Sequence, residues 1–243
     1  MTAPDKKGEI IFKGCLAGTQ GIHDNTYLPI YNGCQASHES QIKKALAFLN
    51  LYGGKSGRWP FAIPPFPDSF NPQTSTEVLL LAVYLPDDGK KSGLQRTFEA
   101  WWDFILTPAS YTKSSWPEYN KNSDYLRMAS DVNQHRPGVR WVAFDPEANL
   151  GVSPSTCWEN SMTGNLATAE VLMAVAQFTS WPASWGYRGS SFPTMSGYMV
   201  CLEGIWWYAP YLRRSKAYRS LLLDLTRADV APAICSSPVV REC

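Results

Sequence analysis

The sequence has little net charge and no long hydrophobic segment. Its formal net charge is +1 over 243 residues, whereas nucleic-acid-binding domains usually carry a marked basic excess. No apolar run reaches the roughly 18 residues that a membrane-spanning helix needs. The first twelve residues, MTAPDKKGEIIF, contain no apolar stretch of the kind found in a secretory signal. We therefore expect a soluble, cytoplasmic protein with reduced cysteines, for which nucleic acid is a possible but unfavoured partner.

The chain contains enough hydrophobic residues to form a substantial core. Hydrophobic residues make up 44% of the chain, which at this length fits one large domain or two small ones. Lysines dominate the basic residues up to Lys121 and arginines dominate after it. The polar segment 112–124 lies at this change in composition and has the character of a loop. We predict a single α+β domain over residues 1–243, with two sub-units that join near 112–124 as the alternative.

Apolar spacing predicts three helices, from near Ser37 to Gly53, over residues 92–107 and over residues 165–179. Ser37 is a suitable N-cap, and Gly53 with Gly54 is a typical helix end. The third helix, NLATAEVLMAVAQFT, is apolar on nearly every side, which indicates a central position. The predicted buried positions of the first two helices are Ile42, Ala45, Leu46 and Leu49, then Leu94, Phe98, Trp101 and Ile105.

Five apolar runs are candidate strands: residues 9–14, 77–85, 139–145, 197–204 and 220–227. The second and fourth could also be short helices, because a continuous apolar run has no diagnostic period. The proline-rich segment 59–72 cannot form a regular element, and its four aromatic residues indicate packing against the body of the protein. The expected fold class is α+β, with mixed or antiparallel sheets packed with about three helices.

One stretch, residues 14–40, concentrates metal-binding and nucleophilic residue types. Cys15, His23, Cys34 and His38 alternate along it, and thiolate with imidazole is suitable chemistry for zinc. Strong zinc signatures place their ligands in close pairs, yet only Cys34 and His38 are close here. A zinc-stabilised module using these four residues is therefore one hypothesis, and a glycine-rich loop without a metal is the alternative.

The same stretch also permits thiol catalysis. Cys34 would lie just before the first predicted helix, where the helix dipole favours the thiolate. His38 follows one turn later and could act as its base. A thiol hydrolase or transferase that uses Cys34 and His38, or His23 with Asp24, is the enzymatic hypothesis. Buried thiols and surface histidines in a glycine-rich loop are the non-functional alternative.

Glu170 is the only charged residue within the third predicted helix. A carboxylate in a central, apolar helix must be paired or protonated. We consider it a candidate catalytic acid, with a structural ion-pair partner as the alternative.

Basic and aromatic residues cluster near the C-terminal end. The segment YLRRSKAYR could track phosphates by charge and stacking, or be an ordinary solvated strand. Its candidate binding residues are Tyr211, Arg213, Arg214, Lys216, Tyr218 and Arg219. The chain also has ten tryptophans, two of them in each of the adjacent pairs Trp101–Trp102 and Trp206–Trp207. One member of each pair could be exposed and anchor a ligand or a partner, and a tryptophan-rich core is the alternative.

From about Arg136 onward the chain resembles uncharacterised proteins of candidate-phyla bacteria with small genomes. The motifs that carry this resemblance are RPGVRWVAFDPEANLG, TAEVLMAVAQFTSWPASW, GYMV and SSPVVREC. It implies a C-terminal sheet of short strands packed on the third helix, and it implies no activity or site residue.

These observations favour a binding or interaction protein that uses exposed aromatic residues or the basic face at residues 211–219. The thiol enzyme and the zinc-stabilised module are the alternatives. The sequence indicates zinc as a possible cofactor and does not specify a ligand.

Overall fold

The computed structural model describes residues 38–53, 62–67, 70–74, 76–106, 126–129, 135–160, 165–178, 192–202, 204–215, 220–230 and 235–243. Two antiparallel sheets and four helices form an α+β fold in these ranges, as predicted. The helices are α1 His38–Tyr52, α2 Gly93–Leu106, α3 Pro154–Glu159 and α4 Glu170–Gln177. The strands are β1 Val78–Tyr84, β2 Leu126–Met128, β3 Gly138–Asp145, β4 Phe192–Pro193, β5 Tyr198–Leu202, β6 Ile205–Ser215, β7 Ser220–Arg227, β8 Cys235–Ser236 and β9 Val239–Glu242. The strand predicted at 9–14 and the join predicted near 112–124 lie outside the described residues.

Helix α2 confirms its predicted stripe, and α1 confirms its predicted helix but not all of its buried face. Leu94, Phe98, Trp101 and Ile105 are all buried in α2. In α1, Leu46 is 45% exposed, and Phe48 is buried and stacks on Trp101 at a centroid distance of 3.8 Å. Ala45 and Leu49 are buried as predicted, Ile42 is partly buried, and Gln41 and Phe48 complete the buried residues of α1.

Helix α4 is shorter than the predicted span 165–179. It begins at Glu170 because the preceding residues extend along β9. Leu166 bridges Val239 in antiparallel fashion, and the backbone N–H of Ala167 donates to the carbonyl of Pro238 at 2.8 Å. The helix itself is buried on almost every side, as its composition predicts.

The first sheet has the order β1–β3–β9, antiparallel throughout. The predicted strands 77–85 and 139–145 are its β1 and β3. All seven residues of β1 are buried, because helices cover the strand and its neighbour β3 shields its other edge. Strand β1 is nevertheless an edge strand, and its outer backbone groups need partners.

Side chains supply those partners along the outer edge of β1. The amide of Gln41 both donates to the carbonyl of Leu79 at 3.0 Å and accepts from the N–H of Leu81 at 2.9 Å, as a neighbouring strand would. Five more side chains continue the row as far as Leu85. Their contacts are Gln177 to the Leu81 carbonyl, Met173 Sδ to the Val83 N–H, Trp101 to the Val83 carbonyl, Thr97 to the Leu85 N–H and His135 to the Leu85 carbonyl.

The second sheet has the order β2–β5–β6–β7, also antiparallel. The predicted strands 197–204 and 220–227 correspond to β5 and β7. Gly204, with φ of +82°, forms the tight turn between β5 and β6, a conformation that favours glycine. Phe98 of α2 meets Tyr198 of β5 edge-on at 5.6 Å, so helix α2 contacts both sheets. A short parallel pair, β4–β8, completes the described strands.

The described parts of the proline-rich segment pack on the body of the protein, as its aromatic content predicts. Residues 62–67 and 70–72 contain no helix or strand. The carbonyl of Pro64 accepts from the indole N–H of Trp141 at 3.3 Å, and the ring of Phe66 meets the same indole edge-on at 5.3 Å. Phe70 is buried.

The tryptophan pairs behave differently from each other. Trp101 and Trp102 are both buried, so this pair belongs to the core and neither member is an exposed anchor. The reason is that α2 packs against both helices and strands and buries more than one stripe. Trp207 is 36% exposed, as expected for the second pair, and Trp206 stacks under the guanidinium of Arg127.

No helix among the described residues is long and apolar enough to cross a membrane.

Candidate functional site

A polar cavity of about 430 Å³ lies where the end of β1 meets β3, β9 and the start of α4. Strand β1 contributes Tyr84, strand β3 contributes Arg140, and helix α4 contributes Glu170. His135 and Arg136, which precede β3, also line the cavity. This volume is within the range of small-molecule sites.

Glu170 lies at the first position of α4 and is only 5% exposed. Its Oε2 accepts from the backbone N–H of Thr168 at 2.5 Å and from the Thr168 hydroxyl at 2.7 Å. Its Oε1 accepts a short hydrogen bond from the Tyr84 hydroxyl. Among the described residues no cation pairs with it, so its burial is sustained by hydroxyl and amide donors. A carboxylate at a helix N-terminus is also favourably placed with respect to the helix dipole.

Tyr84 is a hydrogen-bond donor held in its neutral form. Burial raises the pKa of Tyr84 well above its usual value, and the neighbouring Glu170 raises it further, whereas Arg140 lowers it. A protonated phenol can only satisfy Glu170 by donating, which matches the geometry. The Tyr84 ring therefore has a fixed polar tip and one face available for packing.

The Arg140 guanidinium packs on this ring. Its Cζ lies 4.1 Å from the centroid of the Tyr84 ring, and one terminal nitrogen donates to the carbonyl of Arg136 at 3.0 Å. No carboxylate of the described residues forms an ion pair with Arg140 or Arg136. Arg241, by contrast, is paired with the buried Glu77 by two hydrogen bonds of 3.2 and 3.0 Å.

His135 is oriented by the end of β1. Its Nε2 lies 2.8 Å from the carbonyl oxygen of Leu85, and because a carbonyl only accepts, Nε2 carries the proton. Burial lowers the pKa of His135, an effect that the Leu85 hydrogen bond and the charge of Glu170 partly oppose. The neutral ring therefore has an unprotonated Nδ1, which has no hydrogen-bond partner among the described residues.

Position 93, next to His135, must be a glycine. A Cβ at Gly93 would overlap the carbonyl oxygen of Leu85 and lie 2.7 Å from Nε2 of His135. The close approach of α2 to the end of β1 therefore excludes any side chain at this position.

The structure bears on only one member of the predicted zinc and thiol sites. Cys15, His23 and Cys34 lie outside the described residues, and His38 is the first residue of α1. The His38 ring packs on Phe66 at a centroid distance of 4.8 Å. No group of three or more potential metal ligands occurs within the described ranges.

The predicted basic face is described only at its beginning. Tyr211 is partly buried in β6, and its hydroxyl donates to Asp224 of β7 at 3.3 Å. Arg213 and Arg214 continue β6, while Lys216, Tyr218 and Arg219 lie outside the described residues. The expectation of a strand at the start of this face is met.

Asp145 ends β3 and Glu147 lies in the turn that follows it, where Asp-Pro is a typical turn signal. Asp145 accepts from the hydroxyls of Thr74 and Thr76 at 2.7 and 2.6 Å and from the N–H of Glu147 at 3.0 Å. These bonds fix the turn onto the segment before β1, which accounts for this buried carboxylate structurally.

Of the cavity residues, sequence reasoning singled out Glu170 and missed Tyr84, His135 and Arg140. Tyr84 ends an apolar strand and Arg140 interrupts another, and both are ordinary in those positions. The available sequence signal for His135 was the rarity of histidine, since the chain has only three.

Comparisons with protein-family models, with curated proteins and with solved structures found no match to this chain.

Proposed function

We propose that this protein binds a small organic anion in the cavity between β1, β3 and α4. The observation that supports the proposal most strongly is the Arg140 guanidinium, stacked on Tyr84 and lacking a carboxylate partner among the described residues. A guanidinium at a cavity wall presents a planar fork of N–H donors suited to a carboxylate or phosphate.

The groups around Arg140 limit its movement before any ligand arrives. The Tyr84 ring supports one face of the guanidinium, and the Arg136 carbonyl accepts one of its N–H groups. Tyr84 is itself held by Glu170, which Thr168 holds in turn. Such preorganisation reduces the side-chain entropy lost on binding, which is about 0.5–1.5 kcal/mol for a flexible side chain.

The size and polarity of the cavity favour an organic ligand over a simple ion. A volume of about 430 Å³ exceeds that of an inorganic anion, and the wall carries charged and hydroxyl groups from several elements. Hydrophilic ligands with several oxygen atoms would replace cavity water without leaving these groups unpaired.

The other functions considered from the sequence remain predictions. A thiol enzyme and a zinc module depend on residues 15, 23 and 34, which lie outside the described ranges. Among the large hydrophobic residues that the structure describes as exposed, Trp207 is the one aromatic residue, and it also meets Trp158 edge-on at 5.8 Å. The cavity is preferred because several side chains from separate elements converge there.

The test is ligand binding to the full chain and to an Arg140→Gln variant. Isothermal titration calorimetry with D-gluconate, citrate, glucose 6-phosphate and AMP would sample carboxylates and phosphates, and sorbitol would serve as the uncharged counterpart of gluconate. We expect at least one anion to bind the native protein, sorbitol not to bind, and Arg140→Gln to weaken binding at least tenfold. Arg140→Lys keeps the charge without the planar fork and should lie between the two.

The matched control is Arg227→Gln. Arg227 is an exposed arginine whose partner is Asp229, at 2.8 Å, and it does not line the cavity. Its loss should leave anion affinity unchanged. Absence of binding by all four anions at 10 mM, or equal weakening by Arg140→Gln and Arg227→Gln, would overturn the proposal.

A further inference from the structure

His135 supplies a second recognition element beside the arginine. Its Nε2–H is committed to the Leu85 carbonyl, so the atom left for a ligand is Nδ1. In the neutral ring Nδ1 only accepts hydrogen bonds. Since His135 lines the same cavity as Arg140, a ligand that satisfies both must present an anionic group to one and a hydrogen-bond donor to the other.

The ring of Tyr84 contacts both recognition groups, the Arg140 guanidinium and the His135 imidazole. The Arg140 Cζ lies 4.1 Å from the centroid of the Tyr84 ring, and the His135 ring meets the same ring edge-on at a centroid distance of 5.8 Å. The guanidinium and the imidazole therefore contact one aromatic ring and lie within the length of one small molecule. The donor and the anionic group must then be close together on the ligand.

We infer that the ligand is a hydroxycarboxylate, whose carboxylate binds Arg140 and whose neighbouring hydroxyl donates to Nδ1 of His135. This inference rests on the proposed function and deepens it by naming the ligand class.

The charges of the wall favour a carboxylate over a phosphate dianion. Of the arginines that line the cavity, Arg136 and Arg140 have no ion-pair partner among the described residues, and Arg241 is paired with Glu77. Glu170 and Glu242 also line the cavity. With two such cations and two carboxylates in the wall, the cavity can compensate a ligand that carries one negative charge more readily than a ligand that carries two.

The experiment compares D-gluconate with 2-deoxy-D-gluconate, which differ only in the hydroxyl next to the carboxylate. Calorimetric titrations at pH 8.0 should show gluconate binding about 3- to 10-fold more tightly, the range expected for one net hydrogen bond. The size of the preference should change as the pH falls, because a protonated Nδ1 donates to the hydroxyl oxygen and no longer accepts from the hydroxyl. The midpoint should lie below the ordinary histidine value of 6.5, as the burial of the ring lowers its pKa.

The charged and titratable groups that act on His135 are Glu170, Asp87, Arg140 and Tyr84. The pH series follows the protonation of the imidazole. His135→Gln keeps an N–H donor for the Leu85 carbonyl and cannot titrate. In this variant the ratio of the two affinities should not change with pH.

Two failures can be distinguished. If both compounds bind equally at every pH and Arg140→Gln still abolishes binding, the hydroxyl recognition is wrong and the anion-binding function stands. If neither compound nor any other anion binds, both proposals are wrong. The titrations on the native protein decide between these outcomes even if His135→Gln fails to fold.

Discussion

The Gln41→Met substitution is the sharpest test of how the first sheet is closed. Gln41 has no exposed surface, and its amide satisfies two backbone groups of β1, the Leu79 carbonyl and the Leu81 N–H. Methionine has a similar length and helix propensity, so it fills the same space without the two hydrogen bonds. The substitution therefore isolates the polar contribution of the amide.

The expected loss follows from the two groups left unpaired. Each buried, unsatisfied backbone group costs about 1–3 kcal/mol, offset in part because the apolar methionine side chain is cheaper to bury. We expect the free energy of unfolding to fall by about 3 kcal/mol. For a chain of this size, that corresponds to a decrease in Tm of roughly 6–12 °C.

The assay is urea unfolding followed by tryptophan fluorescence, together with a thermal scan. Lys43→Met is the control, because Lys43 is exposed on the same helix and the substitution introduces the same side chain. A Gln41→Met protein as stable as the Lys43→Met protein, within about 0.5 kcal/mol, would refute the idea that side chains must satisfy the β1 edge.

Three further predictions concern the cavity and a buried thiol. The pKa of Tyr84 in the folded protein is raised above 10.0, so the protonated phenol is the form that stabilises the fold. The free energy of unfolding should therefore fall as the pH rises above about 10. In alkaline urea titrations, Tyr84→Phe should remove this part of the pH dependence. Gly93→Ala, whose Cβ would overlap the Leu85 carbonyl, should lower stability by about 1–3 kcal/mol in urea unfolding, and a stability unchanged within error would contradict the packing described. Burial raises the pKa of Cys235 to about 11. Iodoacetamide at pH 8.5 should therefore label Cys235 about 100-fold more slowly in the folded protein than in urea, as measured by peptide mass spectrometry. Comparable labelling rates in the two conditions would argue against burial of this thiol.

Local patterns predicted the parts of the fold that depend on local packing. Helix α2 follows its apolar spacing closely, because the predicted stripe meets the core. The apolar runs 77–85, 139–145 and 220–227 contain strands β1, β3 and β7. The start of α4 could not be predicted, since residues 166–167 pair with β9, more than seventy positions later in the chain. The rotation of α1 that exposes Leu46 has a similar origin, because Gln41 pairs with β1.

The candidate site was predictable in one residue only. Glu170 stands out because a charge inside an apolar helix conflicts with its surroundings wherever the helix lies. Tyr84, His135 and Arg140 come from three different segments, and each has an ordinary role in its own segment. Their shared ring contacts arise from the antiparallel register of β1 and β3, in which Tyr84 lies opposite Gly138, and sequence patterns do not specify that register.

The side-chain partners of β1 have a consequence for the newly made chain. The strand sequence VLLLAVY has no charge and no proline, which is the composition of segments that assemble into cross-β aggregates. Its protecting groups come from positions as far apart as Gln41 and Gln177, so they are all in place only after most of the chain has been synthesised and the helices have docked. Until then the strand is an open template for another chain, and substitutions that delay helix docking should reduce the soluble yield more than they reduce the stability of the folded protein.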